Sequence, residues 1–196
     1  MNTRISTLLE LLFVTLFSLT PILSQAHCDR VNGPVATDAR KALEAGDIAH
    51  ALVWIAEAQE SELRAAFEQS IEVYQEGGAS QDLAERYFME ATVRLHREAE
   101  GLPYTGLKPA QKSSDDIQLA EEALNSGKLA PVTDMLAKEI RQKTSDLFTE
   151  ALEARSKKDT SVEDGREWVD AYVKYIVYVH TLYQKIQAGP AHGVGN

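Results

Sequence analysis

The stretch ARKALEAGDIA at residues 39–49 recurs as AEEALNSGKLA at residues 120–130. Small and aliphatic residues occupy matching positions in both copies, around a glycine that is typical of a tight turn between two helices. The offset is 81 residues, and three further residues place His96 on His180. The pattern predicts two related halves, each with a short helix, a glycine-centred turn, a second short helix and two longer helices.

Helical periodicity extends through nearly all of the chain after residue 26, without a convincing alternating strand pattern. It predicts one helix over the apolar residues 63–74 that ends at Gly77-Gly78, a second from Ser80, and a last helix from about Ser161 to Gln187. The fold class is therefore predicted to be all-α, a helical bundle of two tandem halves with an approximate two-fold axis. We expect the second and last of these helices to present an apolar surface through Ala84, Tyr87, Phe88, Ala91 and Leu95, and through Trp168, Tyr172, Tyr175, Val179 and Tyr183.

Residues 1–26 have the three parts of a secretory signal peptide. Arg4 supplies the positive charge, residues 8–23 are apolar, and Ser24-Gln25-Ala26 fits the small-x-small cleavage pattern. Glu10 and Pro21 interrupt a segment that is already short for a membrane anchor. The sequence therefore predicts cleavage after Ala26, a periplasmic or secreted protein, and no stable membrane span after cleavage.

The remaining residues 27–196 suit a single helical domain. Within it we predict a first repeat at 27–98, a Gly- and Pro-rich connecting loop at 99–113, a second repeat at 114–188 and a flexible tail at 189–196.

Charge and cysteine content narrow the possible partners. The formal net charge of −10 disfavours nucleic acids and anionic lipid surfaces, and it suits the capture of cations. Cys28 is the only cysteine, so an intramolecular disulfide is impossible. A lone thiol in an oxidising compartment indicates a metal ligand, a buried thiol or a disulfide-linked dimer.

Cleavage after Ala26 makes His27 the first residue, and an N-terminal histidine is a chelating group. Its free amine and Nδ1 close a ring on one metal ion, and Cys28 adds a thiolate and a backbone amide nitrogen. This donor set favours copper or nickel, followed by zinc, over calcium or magnesium. Asp29 is expected either to orient His27 or to cap the first helix. The alternative is a frayed terminus of accidental composition.

Other histidines are candidates to complete the metal site. An approximate two-fold axis would bring His96 and His180 together, or each would be a core histidine bonded to a carbonyl or carboxylate. His192 lies in the tail, from which it would have to fold back, and His50 is expected to be structural or exposed. The sequence lacks the Glu-x-x-His pair of di-iron bundles, the Cys-x-x-Cys-His motif of covalent haem and the His-Glu-x-x-His motif of zinc proteases.

Two families share parts of this pattern. His27-Cys28-Asp29, with Gly33 following, resembles the start of mature nickel superoxide dismutase, which implies a nickel hook on a helical bundle. That family has a second cysteine at the sixth mature position, where this chain has Asn32. Over nearly the full mature length, the chain more closely resembles an uncharacterised family of exported bacterial proteins. The segments that carry this resemblance are 27–29, 33–35, 96–109 and 190–193, which implies His27, Cys28, His96 and His192 as site candidates.

These observations lead to one main hypothesis and two alternatives. The main hypothesis is an exported transition-metal-binding protein that uses His27 and Cys28, with His96 or His180 completing the ligand shell. A redox enzyme of superoxide-dismutase type at the same site is the first alternative. The second is a metal-free helical interaction module with Trp54 and Trp168 as core anchors.

Overall fold

The computed structural model describes residues 27–190, 193 and 194, and the all-α prediction is confirmed over this part of the chain. The predicted signal peptide and His192 lie outside the described residues. No described helix is long and apolar enough to cross a membrane. The helices are α1 (Pro34–Ala45), α2 (Ala49–Leu52), α3 (Glu60–Glu76), α4 (Gly78–Ala99), α5 (Asp115–Ser126), α6 (Ala130–Lys157) and α7 (Val162–Ala188), with a short 3₁₀ helix at Glu57–Gln59 before α3.

The chain forms two compact units, the first ending at Gln111 and the second beginning at Lys112. This boundary falls within the predicted connecting loop at 99–113. Each unit contains one half of the predicted repeat. The grouping of residues 27–196 into one domain stays a prediction.

The repeat is visible in the helix bounds. α1 and α5 each span 12 residues, and they begin and end 81 residues apart. Both end at a glycine in the left-handed conformation, Gly46 with φ 66° and Gly127 with φ 70°, which a residue with a side chain adopts only with strain. α3 and α6 also end 81 residues apart, at Glu76 and Lys157.

The second half lacks the predicted second short helix, because α6 is continuous over 28 residues. The first half instead bends at residues 53–56, between α2 and the 3₁₀ helix. There, β-branched and aromatic side chains leave the helix to contact the core, and the Trp54 indole donates a hydrogen bond to Asp38 at 2.9 Å. The corresponding segment of α6, Asp134-Met135-Leu136-Ala137, contains three good helix formers and continues the helix.

The first unit has a well-defined apolar core in which α1 and α3 pack against α4. Phe88 is fully buried and meets Phe67 edge-on, with ring centroids 5.3 Å apart. Inward placement of Ala84, Phe88 and Leu95 is confirmed, whereas that of Tyr87 is wrong. Tyr87 is 47% exposed because its hydroxyl donates to Gln69 on the solvent side of α3.

The second unit consists of the α6–α7 pair with α5 packed against α6. Helix α7 begins where predicted, because the Ser161 hydroxyl accepts a hydrogen bond from the Asp164 amide at 3.0 Å. Its fully buried apolar residues within the described part are Ala151 and Ala171. The predicted apolar surface of α7 exists but is largely exposed, with Trp168 and Tyr175 half-buried and Tyr172, Val179 and Tyr183 exposed.

The core contribution of Phe88 can be measured by truncation. We expect Phe88→Ala to lower the free energy of unfolding of the first unit by about 3–5 kcal/mol, because it removes a fully buried ring. Leu83→Ala, on the same helix but 70% exposed, should change it by less than about 0.5 kcal/mol. Urea denaturation followed by far-UV circular dichroism compares the two. Equal effects would contradict this description of the core.

Candidate functional site

The predicted hook residues lie in a tight turn at the start of the first unit. The amide of Gly33 donates to the carbonyl of Arg30 at 2.8 Å, and the Gly33 carbonyl accepts from Thr37 in α1. A side-chain carbon added at Gly33 would lie 2.3 Å from the carbonyl oxygen of His27 and 3.3 Å from that of Cys28. The absence of a side chain at Gly33 therefore allows the His27-Cys28 backbone to close over the start of α1.

The connecting loop holds this turn through two sets of backbone hydrogen bonds. The Lys108 amide donates to the Asp29 carbonyl at 2.7 Å, and the Val31 amide donates to the Lys108 carbonyl at 3.0 Å. The Asn32 side chain pairs with the backbone of Gln111 in both directions, at 3.2 and 3.1 Å. The N-terminal segment is thus joined to residues far along the chain by four hydrogen bonds.

A buried ion-pair cluster fixes Asp29 to the last turn of α4. Arg97 Nε lies 3.3 Å from Asp29 Oδ1, and Arg97 Nη1 lies 2.9 Å from Glu100 Oε2. The three side chains are almost fully buried, with exposed fractions of 6%, 6% and 11%. Burial raises the pKa of the Asp29 carboxyl, and the charge of Arg97 opposes this shift. The predicted capping role of Asp29 is wrong, since the residue that caps α1 is Gly33.

His96 is buried beside this cluster. Its Nδ1 donates a hydrogen bond to the carbonyl of Trp54 at 2.8 Å, and its ring meets the indole edge-on at 5.7 Å. The other ring nitrogen, Nε2, is 3.6 Å from Glu100 Oε2, beyond a normal hydrogen bond. A neutral ring that donates from Nδ1 keeps the lone pair on Nε2. The carbonyl-bonded core histidine, one of the two expected roles, therefore describes His96 in this structure.

The structure places the other predicted site residues as follows. His27 and Cys28 are half-buried in the turn, and Cys28 packs against the core of the first unit. His180 is exposed on α7 in the second unit, so it does not share a unit with His96. His50 is exposed, and His192 lies outside the described residues. Within the described part of the chain, no three His, Cys, Asp or Glu side chains come together as a metal-binding group.

The residues that hold the turn were not predicted as site residues. Arg97 and Glu100 follow His96 at the end of α4 at a spacing that places all three on neighbouring helix positions. The available signal was the position of Arg97 within an otherwise apolar stretch, but a charged residue near a helix C-terminus is usually solvated. Asn32 stood out only as a departure from the dismutase pattern.

Comparison with known families places the anchoring residues in a recognised segment. The model of a family of unknown function, DUF6448, matches residues 32–178. The chain belongs to this family. The DUF6448 match includes Asn32, Arg97, Glu100 and Lys108, and it begins after the His27-Cys28-Asp29 turn. The predicted membership of an uncharacterised family is thereby confirmed. No curated protein and no solved structure matches the chain.

Gly33 tests the tight approach of the His27 carbonyl. We expect Gly33→Ala to destabilise the first unit by about 1–3 kcal/mol, because the backbone of the turn must move away from the new methyl group. Hydrogen exchange at the Val31 and Lys108 amides should accelerate. Gly193→Ala is the control, since nothing lies within 4 Å of its added carbon. Unchanged protection of both amides would be evidence against the tight turn.

Arg97 tests the buried cluster. We expect Arg97→Met to cost about 3–5 kcal/mol in unfolding free energy at neutral pH, because Asp29 and Glu100 lose a buried cationic partner. Arg64→Met breaks an exposed ion pair with Glu60 on α3 and should cost about 0.5 kcal/mol. Chemical denaturation measures both. A loss at Arg97 no larger than that at Arg64 would rule out the cluster as an anchor.

Proposed function

We propose that this protein binds one transition metal ion through an N-terminus generated by cleavage before His27. The ligands are the His27 amine and imidazole together with the Cys28 thiolate, and the Cys28 amide nitrogen is a further donor. Copper and nickel suit this set best, followed by zinc. The protein acts after export, in the periplasm or outside the cell. In the uncleaved chain the amine is part of a peptide bond and cannot serve as the chelating nitrogen.

The observation that supports this proposal is the anchoring of the turn next to the proposed ligands. A frayed terminus would leave residues 27–33 without tertiary contacts. Here the backbone of Asp29 and Val31 is bonded to Lys108, and the Asp29 side chain is buried against Arg97. A chelate built on a fixed turn loses less conformational entropy on binding than one built on a mobile tail.

His96 is the candidate for an additional ligand within the first unit. It is nine-tenths buried or more, and its Nε2 has no hydrogen-bond partner among the described residues. Its Nδ1 bond to the Trp54 carbonyl is the type of contact that orients ligand histidines in metal sites. His180 and His192 enter the same proposal as weaker candidates. For His180, the proposal includes the approximate two-fold axis, whose sequence support is the repeat of helix bounds.

The position of Asn32 favours metal binding over a dismutase reaction. The related dismutase hook has a second thiolate at this position, and two thiolates tune its redox couple. Asn32 is instead engaged in both directions with the backbone of Gln111. The proposed function is therefore binding or delivery of the metal ion, without catalytic turnover.

Adding a single glycine before His27 tests the hook. We expect metal affinity to fall by at least about 100-fold, ~2.7 kcal/mol, because the chelating amine becomes an amide nitrogen. Titration with Cu²⁺, Ni²⁺ and Zn²⁺ measures the change against the protein that begins at His27, as verified by intact mass. Cys28→Ser should also weaken binding, and His50→Ala, which alters an exposed histidine away from the turn, should have no effect. Equal affinity of the extended and unextended proteins would refute the proposed hook.

A further inference from the structure

Helix α7 presents a continuous apolar surface to solvent. Its main side chains recur at intervals of three and four residues, which places them on one side of the helix. Their exposed fractions range from 39% for Val179 to 61% for Tyr183. We call this surface the α7 face; it comprises Val169, Tyr172, Val173, Ile176, Val179 and Tyr183.

The first unit shows how the corresponding surface is covered. α4 and α7 begin 84 residues apart, so Phe88 and Leu95 of α4 correspond to Tyr172 and Val179 of α7. Both α4 side chains are completely buried. α1 packs along α4, and Arg40 of α1 forms an ion pair with Glu85 of α4 at 2.8 Å. A helix with the sequence pattern of α1 is therefore a suitable cover for this type of surface.

The second half contains such a helix in α5, but α5 does not cover α7. Leu124 of α5 is 86% exposed, whereas the corresponding Leu43 of α1 is 1% exposed. Within the described part of the chain, α5 packs against α6 and has no packing with α7 comparable to that of α1 with α4. Both partners of the expected contact are thus present and exposed.

The continuous α6 explains why α5 and α7 of one chain remain apart. In the first half, the bend at residues 53–56 turns α1 back onto α4. α6 has no such bend over its 28 residues, about 42 Å. A second copy of the chain supplies an identical α5 without requiring α6 to break. Exchange of identical elements in this way produces a closed symmetric dimer.

Charge favours a contact between α5 and α7. α5 carries the carboxylates Asp115, Asp116, Glu121 and Glu122 and no lysine or arginine. After Asp170, α7 carries Lys174 and Lys185 and no carboxylate. The opposite signs favour α5 on the α7 face over a pairing of two α7 faces, which would bring like charges together.

The available area is also sufficient. The six side chains of the α7 face, each about half exposed, present roughly 500 Å² of apolar surface if a fully exposed side chain presents about 150–200 Å². A symmetric dimer forms the contact twice and covers surface on both helices. Its total buried area then reaches the ~1,200–2,000 Å² of stable protein interfaces.

We propose that the protein forms a homodimer in which α5 of each copy packs on the α7 face of the other. The proposal is independent of metal binding, because none of its residues belongs to the His27-Cys28 turn. Light scattering during size-exclusion chromatography of the purified protein should give twice the mass of one chain.

Two variants separate this arrangement from its competitors. Leu124→Asp damages α5, and Ile176→Asp damages the centre of the α7 face. Each should weaken dimerisation by about 30-fold or more. Leu83→Asp, which alters a 70% exposed side chain on α4, is the matched control and should leave the dimer intact. An equal mixture of the two weakened variants should form a heterodimer at high concentration, because the intact α5 of one fits the intact α7 face of the other.

Three results would overturn the proposal. The first is a monomer at about 100 μM. The second is a dimer lost in Ile176→Asp but retained in Leu124→Asp, which would mean that two α7 faces pair directly. The third is a mixture of the variants that stays monomeric, although circular dichroism shows both to be folded.

Discussion

The buried ion pair between Arg97 and Asp29 is the contact on which the proposed site depends. A guanidinium and a carboxylate removed from water are stable only when each meets a partner of opposite charge in good geometry. Arg97 meets this condition by contacting Asp29 from the N-terminal segment and Glu100 from its own helix. The pairing therefore places the N-terminal turn at the end of α4, where His96 is also buried. Lys108 and Asn32 then hold the same segment to the connecting loop.

The two halves show how one sequence pattern can lead to two packing outcomes. Their first helices have equal lengths and end at equivalent left-handed glycines. They diverge at residues 53–56, where the first half bends and buries Ile55 in its core, and where the second half continues as α6. The bend allows α1 to cover α4 and complete a core. The straight α6 leaves the corresponding surface of α7 exposed, so the apolar residues of that half require a different partner.

Much of the fold could be predicted from the sequence, because helix periodicity, glycine stops and the Ser161 cap are local signals. The repeat also predicted the shared helix bounds. Local patterns did not reveal the bend or its absence, because both versions of that segment can be helical and tertiary contacts of Trp54 and Ile55 decide the outcome.

The site was less accessible to sequence reasoning. The candidates His27, Cys28 and His96 came from the chemistry of single residues. The contacts of Arg97 and Asn32 join segments about 70–80 positions apart, which no local pattern specifies. His96 and His180 occupy equivalent repeat positions, but the first is buried and the second is exposed. Equivalence in a duplicated sequence therefore predicts helix position better than it predicts environment.

The anchored turn gives the proposed hook a defined geometry, since the His27 amine and the Cys28 thiolate belong to a segment whose backbone is fixed by Gly33 and Lys108. X-ray absorption spectroscopy of the protein loaded with one equivalent of Zn²⁺ tests this most directly. We predict one sulfur neighbour at about 2.3 Å together with nitrogen neighbours at about 2.0 Å. A coordination shell of nitrogen and oxygen atoms without sulfur would contradict the assignment of Cys28 and the anchored hook.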